Sequence, residues 1–263
     1  MISGTPTTAA TSSITVKVTD SASAKAAATF SLTVAAVESG WTLVWSDEFN
    51  GTTLDSTKWL NPTTDNSCDG YTQQSVQADD TYLDGKGLLV IRAQSRASGG
   101  CGPMHLTAGQ ISTVGRFAQA YGKFEFRAQM PSGGGGIWPA LWLYPIGVSW
   151  PPEIDVLEMT SDMSTAYMTY HWGTEQNHMQ SGQSYTNSSL STGFHTYAVE
   201  WDPGLINWYI DGALVRSAFT GPDVTSMPMG ILIDIYLGGW AGAVSASFPQ
   251  YMYVDYVRVY KRR

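Results

Sequence analysis

The sequence predicts an all-β protein built as a sandwich or barrel. Three observations carry this. Short runs of alternating apolar and polar residues recur from Trp41 onward, Gly, Pro, Asn and Asp separate them, and no segment sustains the 3.6-residue apolar period of a helix. At 263 residues the chain can bury one large core, and all-β sandwiches reach this size as single domains.

Residues 1–36 differ from the rest: Ala, Ser and Thr dominate, and Phe30 is the sole aromatic. Residues 13–20 and 29–34 alternate as strands do, and Asp20-Ser21-Ala22-Ser23 reads as a turn between them. This hairpin is similar to the last two strands of a bacterial immunoglobulin-like module. Residues 1–36 are therefore expected to be a remnant of a preceding module or a linker, with a carbohydrate-binding arm as the other reading, and residues 37–263 to form the main domain. Within it, residues 88–93, 122–128, 166–171, 196–201, 206–210, 230–237 and 252–260 read as strands, rich in β-branched and aromatic side chains.

Lys and Arg number 14 against 22 Asp and Glu, a formal net charge of -8. Neither a nucleic-acid nor an anionic-membrane partner is expected, because nothing supplies the basic stripe such binding needs. No apolar run is long enough for a transmembrane helix, and Met1-Ile2-Ser3-Gly4 lacks the basic-then-apolar pattern of a signal peptide. Ten Trp, 14 Tyr and 27 Gly suit a β protein with a carbohydrate cleft.

The stretch Trp150-Pro151-Pro152-Glu153-Ile154-Asp155-Val156-Leu157-Glu158-Met159 places three carboxylates in an otherwise apolar, strand-like run. Side chains of a regular strand alternate faces, so Glu153 and Asp155 share one face and Glu158 falls on the other. A β-bulge between Asp155 and Glu158 restores the phase and brings all three to one face. Crowded there, at least one acid holds its proton more tightly, so a carboxylic acid and a carboxylate coexist near neutral pH. Glycoside hydrolysis uses such a pair. A surface strand with solvated acids is the other reading of the spacing. The flanking aromatics in Ile137-Trp138-Pro139-Ala140-Leu141-Trp142 and Tyr167-Met168-Thr169-Tyr170-His171-Trp172 favour a sugar site.

These residues resemble glycoside hydrolase family 16, in particular its laminarinase-like (endo-β-1,3-glucanase) branch. The resemblance covers about residues 41–261. Its other motifs are Trp45-Ser46-Asp47-Glu48-Phe49-Asn50-Gly51, Tyr121-Gly122-Lys123-Phe124-Glu125-Phe126-Arg127-Ala128, Phe194-His195-Thr196-Tyr197-Ala198-Val199-Glu200-Trp201 and Val254-Asp255-Tyr256-Val257-Arg258-Val259-Tyr260. Two residues between Asp155 and Glu158 match the bulged form of the acidic motif; the lichenase-like branch has one fewer. The resemblance implies a β-jelly roll of two curved antiparallel sheets, the concave one lining a substrate cleft.

It further implies a retaining mechanism, with Glu153 as nucleophile, Glu158 as general acid/base and Asp155 as the partner between them. Such pairs stand roughly 5–5.5 Å apart. Glu125 and Arg127 fall where the family places cleft residues, a same-face surface ion pair being the other reading. Trp138 is expected as a stacking platform, Trp142 in either cleft or core, and Trp150 at the cleft. The family puts a histidine near the acid/base residue, which points to His171, although a lone histidine also serves structure. Asp234 and Tyr236 stand where relatives carry other polar or aromatic cleft residues. Tyr71-Thr72-Gln73-Gln74 replaces the family's paired asparagines. No cofactor is implied for catalysis. A structural calcium is implied at the Asp255 side chain with backbone oxygens of Glu48 and Gly87, and an Asp255 that merely caps a strand end is the other reading.

Cys68 and Cys101 lie in loop-like segments and could stay reduced; an oxidising, extracytoplasmic setting favours a disulfide. Neither has a Cys or His at zinc-ligand spacing. The expectation is a secreted, monomeric enzyme that cleaves β-1,3 linkages in laminarin-type or β-1,3-1,4 mixed-linkage glucans. The alternatives are a retaining hydrolase of algal galactans (agarose or carrageenan) and a non-catalytic jelly-roll lectin that binds glucan.

Overall fold

The computed structural model describes residues 10–34, 40–64, 68 and 71–263. It separates into two units, Met1–Thr42 with Arg263, and Leu43–Arg262. The boundary expected between residues 36 and 37 and the chain start, where no signal peptide is expected, both lie outside the described residues.

In the first unit, β1 (Ala10–Thr19) and β2 (Lys25–Val34) form an antiparallel pair in unbroken register from Ala10↔Val34 to Thr19↔Lys25. Asp20 shapes the turn, its Oδ1 accepting from the Ala22 and Ala24 amides at 2.9 Å each. Val16 and Val18 are 43% and 61% exposed. A two-stranded hairpin by itself is marginal in water.

The second unit carries β3 (Trp41–Asp47) from Leu43 onward, β4 (Ser75–Val76), β5 (Thr81–Leu83), β6 (Leu89–Ser95), β7 (Leu106–Ala108), β8 (Gln110–Ser112), β9 (Gly122–Gln129), β10 (Ile137–Pro145) and β11 (Glu153–Thr160). The chain continues through β12 (Asp162–Thr174), β13 (Asn177–Thr186), β14 (His195–Asp202), β15 (Leu205–Ile210), β16 (Ala213–Thr220), β17 (Met229–Leu237) and β18 (Gln250–Arg262). A six-stranded sheet runs β13-β12-β11-β10-β17-β8, and a ten-stranded sheet runs β16-β15-β14-β9-β18-β6-β7-β4, with β3 on β18 and β5 on β6. Along both strand orders pairing is antiparallel except for β4 with β7, and β5 on β6 is antiparallel too. This is the jelly-roll sandwich. The runs read from sequence fall inside β6, β9, β12, β14, β15, β17 and β18, apart from one terminal residue of the first. The strand β13 gave no such signal: it is polar and largely exposed, and its pairing with β12 alone makes it a strand.

Alternation builds the core. Phe124, Phe126 and Ala128 of β9 are fully buried while Glu125 and Arg127 between them are not, and β10 buries Ile137, Leu141 and Leu143. Ile154, Leu157 and Met159 of β11 and Ile231, Ile233 and Ile235 of β17 complete the inner face of the six-stranded sheet.

Several of the family-like motifs are structural. Asp47 accepts from the Trp59 indole at 2.9 Å and the Phe49 amide at 3.0 Å, and Glu48 takes Arg258 in a two-point ion pair. Those contacts tie the first motif to the last. Gly122 has φ +119°, and a Cβ there would stand 2.2 Å from the Tyr260 carbonyl oxygen. Gly135 and Gly136 lie as tightly against Ser245 and Val244, which accounts for the glycine run before β10. Among the described residues no helix is long and apolar enough to cross a membrane.

Cys68 and Cys101 are joined by a disulfide with Cα atoms 5.5 Å apart, closing a separation of 33 residues. Chain entropy assigns such a loop roughly 3–4 kcal/mol. Reduction is expected to lower Tm by on the order of 10 °C. Calorimetry with and without reductant measures it, and an unchanged Tm after thiol titration shows full reduction would refute it.

Candidate active site

The site is built on β11. Against β12 its register runs Glu153↔His171 and Asp155↔Thr169 and then resumes at Glu158↔Tyr167. Against β10 it steps from Trp142↔Asp155 to Leu141↔Leu157. Both neighbours therefore skip one residue of β11, a bulge between Asp155 and Glu158. Ile154, Leu157 and Met159 turn into the core, and the three acids share the other face. The bulge leaves the Asp155 carbonyl pointing inward, where the buried Trp208 indole donates to it at 2.8 Å.

Each acid has a partner. Trp150 Nε1 donates to Glu153 Oε2 at 3.1 Å, and Trp138 Nε1 donates to Glu158 Oε1 at 2.8 Å. His171 Nε2 lies 3.0 Å from Asp155 Oδ2 and 3.6 Å from Glu153 Oε1. Behind it, His171 Nδ1 lies 2.9 Å from His178 Nε2, whose ring packs 4.6 Å from Trp150. A cleft of about 420 Å³ opens over the acids, walled by Tyr71, Trp138, Trp142 and Tyr236, with Thr64, Thr72 and Gln110 as polar groups. The tilted Trp138 and Tyr236 rings stand 5.3 Å apart, and Tyr71 meets Trp138 edge-on. Aromatic faces with convergent acids suit a sugar chain.

Burial dominates the electrostatics. Desolvation and the neighbouring Asp155 push Glu153 from the ordinary 4.5 up to about 9. Burial and the Glu158 charge hold Asp155 well above the carboxylate range, opposed by its hydrogen bond with Glu153 and by the Arg216 guanidinium. Burial raises Glu158 as well, with the Trp138 bond opposing. Asp234, fully buried beneath the cleft, is pushed to about 8 by burial; its Oδ2 accepts from Trp142 Nε1 at 3.0 Å. Desolvation lowers His171, so its imidazole is neutral at pH 7. Glu153 and Asp155 are hydrogen-bonded carboxyl to carboxyl, so one proton lies between them and the charge on either raises the other's affinity for it. One oxygen each of Glu153 and Asp155 and one His171 nitrogen lie within 4.8 Å, close enough to hold a cation. Their mutual hydrogen bonds account for that closeness without one.

Glu153, Asp155, Glu158, Trp138 and Tyr236 thus line the cleft, Trp150 and His171 contact its acids from beside it, and Asp234 lies buried behind Trp142. His171 sits against Asp155 and Glu153 rather than against Glu158, the residue expected as acid/base. Glu125 and Arg127 correct the sequence reading. They lie on β9 of the other sheet, on its outer face, because Phe124 and Phe126 take the inward positions. There Glu125 pairs with Lys123 at 2.8 Å and accepts from Tyr256, and Arg127 binds Asp255 at 2.5 Å. Asp255, the one carboxylate of the implied calcium set, is therefore already matched by a guanidinium. That set is otherwise all-oxygen, the donor chemistry calcium takes.

Sequence reasoning left Trp142 between cleft and core, and missed Tyr71, Gln110 and His178. The two-residue period places Trp142 on the Trp138 face of β10. Tyr71 reaches the cleft through a fold-back in which Gln73 N donates to Leu237 O and Gln74 Oε1 accepts from Leu237 N. Gly239 leaves room there, since a Cβ would touch both Tyr71 and Trp138 at 3.0 Å.

The raised Glu153 carboxyl makes stability depend on pH. Below its unfolded value near 4.5 the group is protonated in both states and its contribution is complete; as pH rises to about 9 the unfolded chain loses the proton first and the contribution is lost. Glu153→Gln has no proton to lose, so its Tm relative to wild type is expected to climb between about pH 5 and pH 9. Paired thermal melts across that range test this, and a constant difference would refute it.

Residues 65–258 match the family described as Glycosyl hydrolases family 16. The chain is 41% identical over 160 residues to endo-1,3-1,4-beta-glycanase ExsH of Rhizobium meliloti, covering 59% of this chain but 33% of that protein. It is 32% identical over 252 residues to a beta-glucanase of Rhodothermus marinus, covering 84% of this chain and 85% of that one. The laminarinase catalytic domain of Thermotoga maritima superimposes with a TM-score of 0.74 at 31% identity, over 85% of this chain and 99% of that domain. With the acid row, its bulge and the jelly roll already in place, the matches leave one assignment: the chain belongs to glycosyl hydrolases family 16.

Proposed function

We propose that this chain is the catalytic part of an endo-acting, retaining β-glucanase that cleaves β-1,3 linkages in laminarin-type or mixed-linkage glucans. The observation that carries the reading is the bulged row Glu153, Asp155, Glu158 at the floor of an aromatic cleft. A protein that only bound glucan would gain nothing from three desolvated acids. The similarity to a beta-glucanase and a laminarinase domain supports a glucan substrate.

Glu158, whose hold on a proton is strengthened by burial, donates that proton to the glycosidic oxygen as that bond breaks. A Glu153 oxygen attacks the anomeric carbon from the opposite face and forms a glycosyl ester. Positive charge developing at the sugar draws the negative charge of the Glu153–Asp155 pair onto Glu153, and the shared proton onto Asp155. The Glu158 carboxylate then takes a proton from water, the water oxygen attacks the anomeric carbon, and the ester bond to Glu153 breaks with net retention. No cofactor enters. The disulfide supports an oxidising, extracytoplasmic location, and the chain acts as a monomer in this reading. A structural calcium would take the Asp255 carboxylate and the backbone oxygens of Glu48 and Gly87, away from the acids.

Product analysis on laminarin, lichenan and agarose tests the substrate class: oligosaccharides from the first two are expected, and products from agarose alone, or none despite binding, would overturn it. Glu153→Ala is expected to lose kcat by on the order of 10⁴-fold or more, and Glu158→Ala about 10²–10⁴-fold on unactivated glucan but far less on activated aryl glycosides. Azide is expected to restore turnover of an aryl β-glycoside in both, giving the β-glycosyl azide with Glu158→Ala and the α-azide with Glu153→Ala. Exchanged stereochemistry would reverse the two roles. For calcium, addition after chelation is expected to raise Tm in the wild type and not in Asp255→Asn; equal shifts would place the ion elsewhere.

A further inference from the structure

Arg216 is 3% exposed on β16, at the edge of the ten-stranded sheet. A guanidinium among apolar side chains is costly unless its donors are filled, and a well-packed apolar residue of similar volume often serves stability as well or better. Its two terminal nitrogens cross to the other sheet. Nη1 donates to the Met168 carbonyl of β12 at 3.0 Å, and Nη2 to the Ser181 carbonyl and hydroxyl of β13 at 2.7 and 2.9 Å. Its plane lies 4.1 Å over Trp208, the indole that donates to the Asp155 carbonyl.

The placement of these bonds follows the bulge. Met168 lies between Thr169 and Tyr167, the β12 residues that flank the skipped position of β11. Arg216 therefore holds the β12 side of the irregularity and Trp208 holds the β11 side. The β15–β16 ladder slips on both sides of the Trp208↔Arg216 pair, between Ile206 and Trp208 and between Trp208 and Tyr209. One distortion in the outer sheet thus faces another in the inner sheet. Burial lowers Arg216 only to about 10, so it stays charged at neutral pH, and the carboxylate acting on it is Asp155.

We propose that Arg216 and Trp208 are positioning residues for the reaction, clamping the β11 bulge from behind so that Asp155 and Glu158 stay on the cleft face with Glu153. The inference rests on the retaining glycosidase reading above. Neither residue touches substrate; both act through the backbone that carries the acids. A cation at Arg216 also favours the charged form of Asp155.

The test uses Trp208→Phe, which keeps a ring and removes the indole N–H, with Arg216→Met and Arg216→Lys. For each, kcat and KM on laminarin are measured per folded molecule, Tm by calorimetry, and amide exchange across residues 153–160 without substrate. Trp208→Phe is expected to lose about tenfold and Arg216→Met about a hundredfold in kcat, with KM within twofold. Arg216→Met is expected to keep or exceed the wild-type Tm, and Arg216→Lys to recover part of kcat by restoring the charge without the planar fork. Amides 155–158 are expected to exchange at least tenfold faster in Trp208→Phe and Arg216→Met while those of β17 keep their protection. Wild-type kcat per folded molecule in both variants, or unchanged exchange at 155–158, would overturn the clamp. If Arg216→Met does not fold, Trp208→Phe decides by the same criteria. A wild type inactive on laminarin would sink the glucan reading, and amide exchange would still decide the clamp.

Discussion

A strand alternates its side chains between two faces, so β11 can present Glu153, Asp155 and Glu158 together only by carrying one residue more than its neighbours. The rest of the site follows from that extra residue. It sets which acid faces which tryptophan, leaves the Asp155 carbonyl turned inward for Trp208, and lets Ile154, Leu157 and Met159 keep the core closed. A strand without it would bury one acid among those apolar side chains.

Placing four carboxyls against the apolar wall of a sandwich works against stability, because desolvation and mutual repulsion both disfavour their charged forms. The fold answers with single neutral donors: Trp138 to Glu158, Trp150 to Glu153 and Trp142 to Asp234. An indole N–H satisfies one oxygen while its ring still offers a sugar an apolar face. Three of the ten tryptophans therefore hold buried carboxyls without adding a charge. A lysine or arginine in their place would neutralise the acid and remove the proton the reaction needs.

The same principle separates the two kinds of motif in the chain. Asp47, Glu48, Arg258 and Gly122 meet backbone or ion-pair partners and hold the outer sheet together. Glu125 and Arg127 belong with them: their partners Lys123, Tyr256 and Asp255 lie on the outer sheet and not at the acids. Similar residue types in a similar pattern thus build a scaffold on one sheet and a site on the other, according to which face the apolar neighbours claim.

The chain by itself determined what depends on local spacing. The two-residue period, the turn residues and the lack of helical periodicity specify strands, and two residues between Asp155 and Glu158 specify a bulge because only that phase gathers the acids. Tertiary structure decided whatever joins distant segments. Trp142 meets Asp234 across 92 residues, Trp208 reaches Asp155 across 53, and Arg216 reaches Met168 across 48. Tyr71 enters the cleft because Gln73 and Gln74 bond to Leu237, and the polar strand β13 exists because β12 offers it a ladder. Spacing along a strand says which residues share a face, but which face meets the core, and what lies across it, is set by how the two sheets pack.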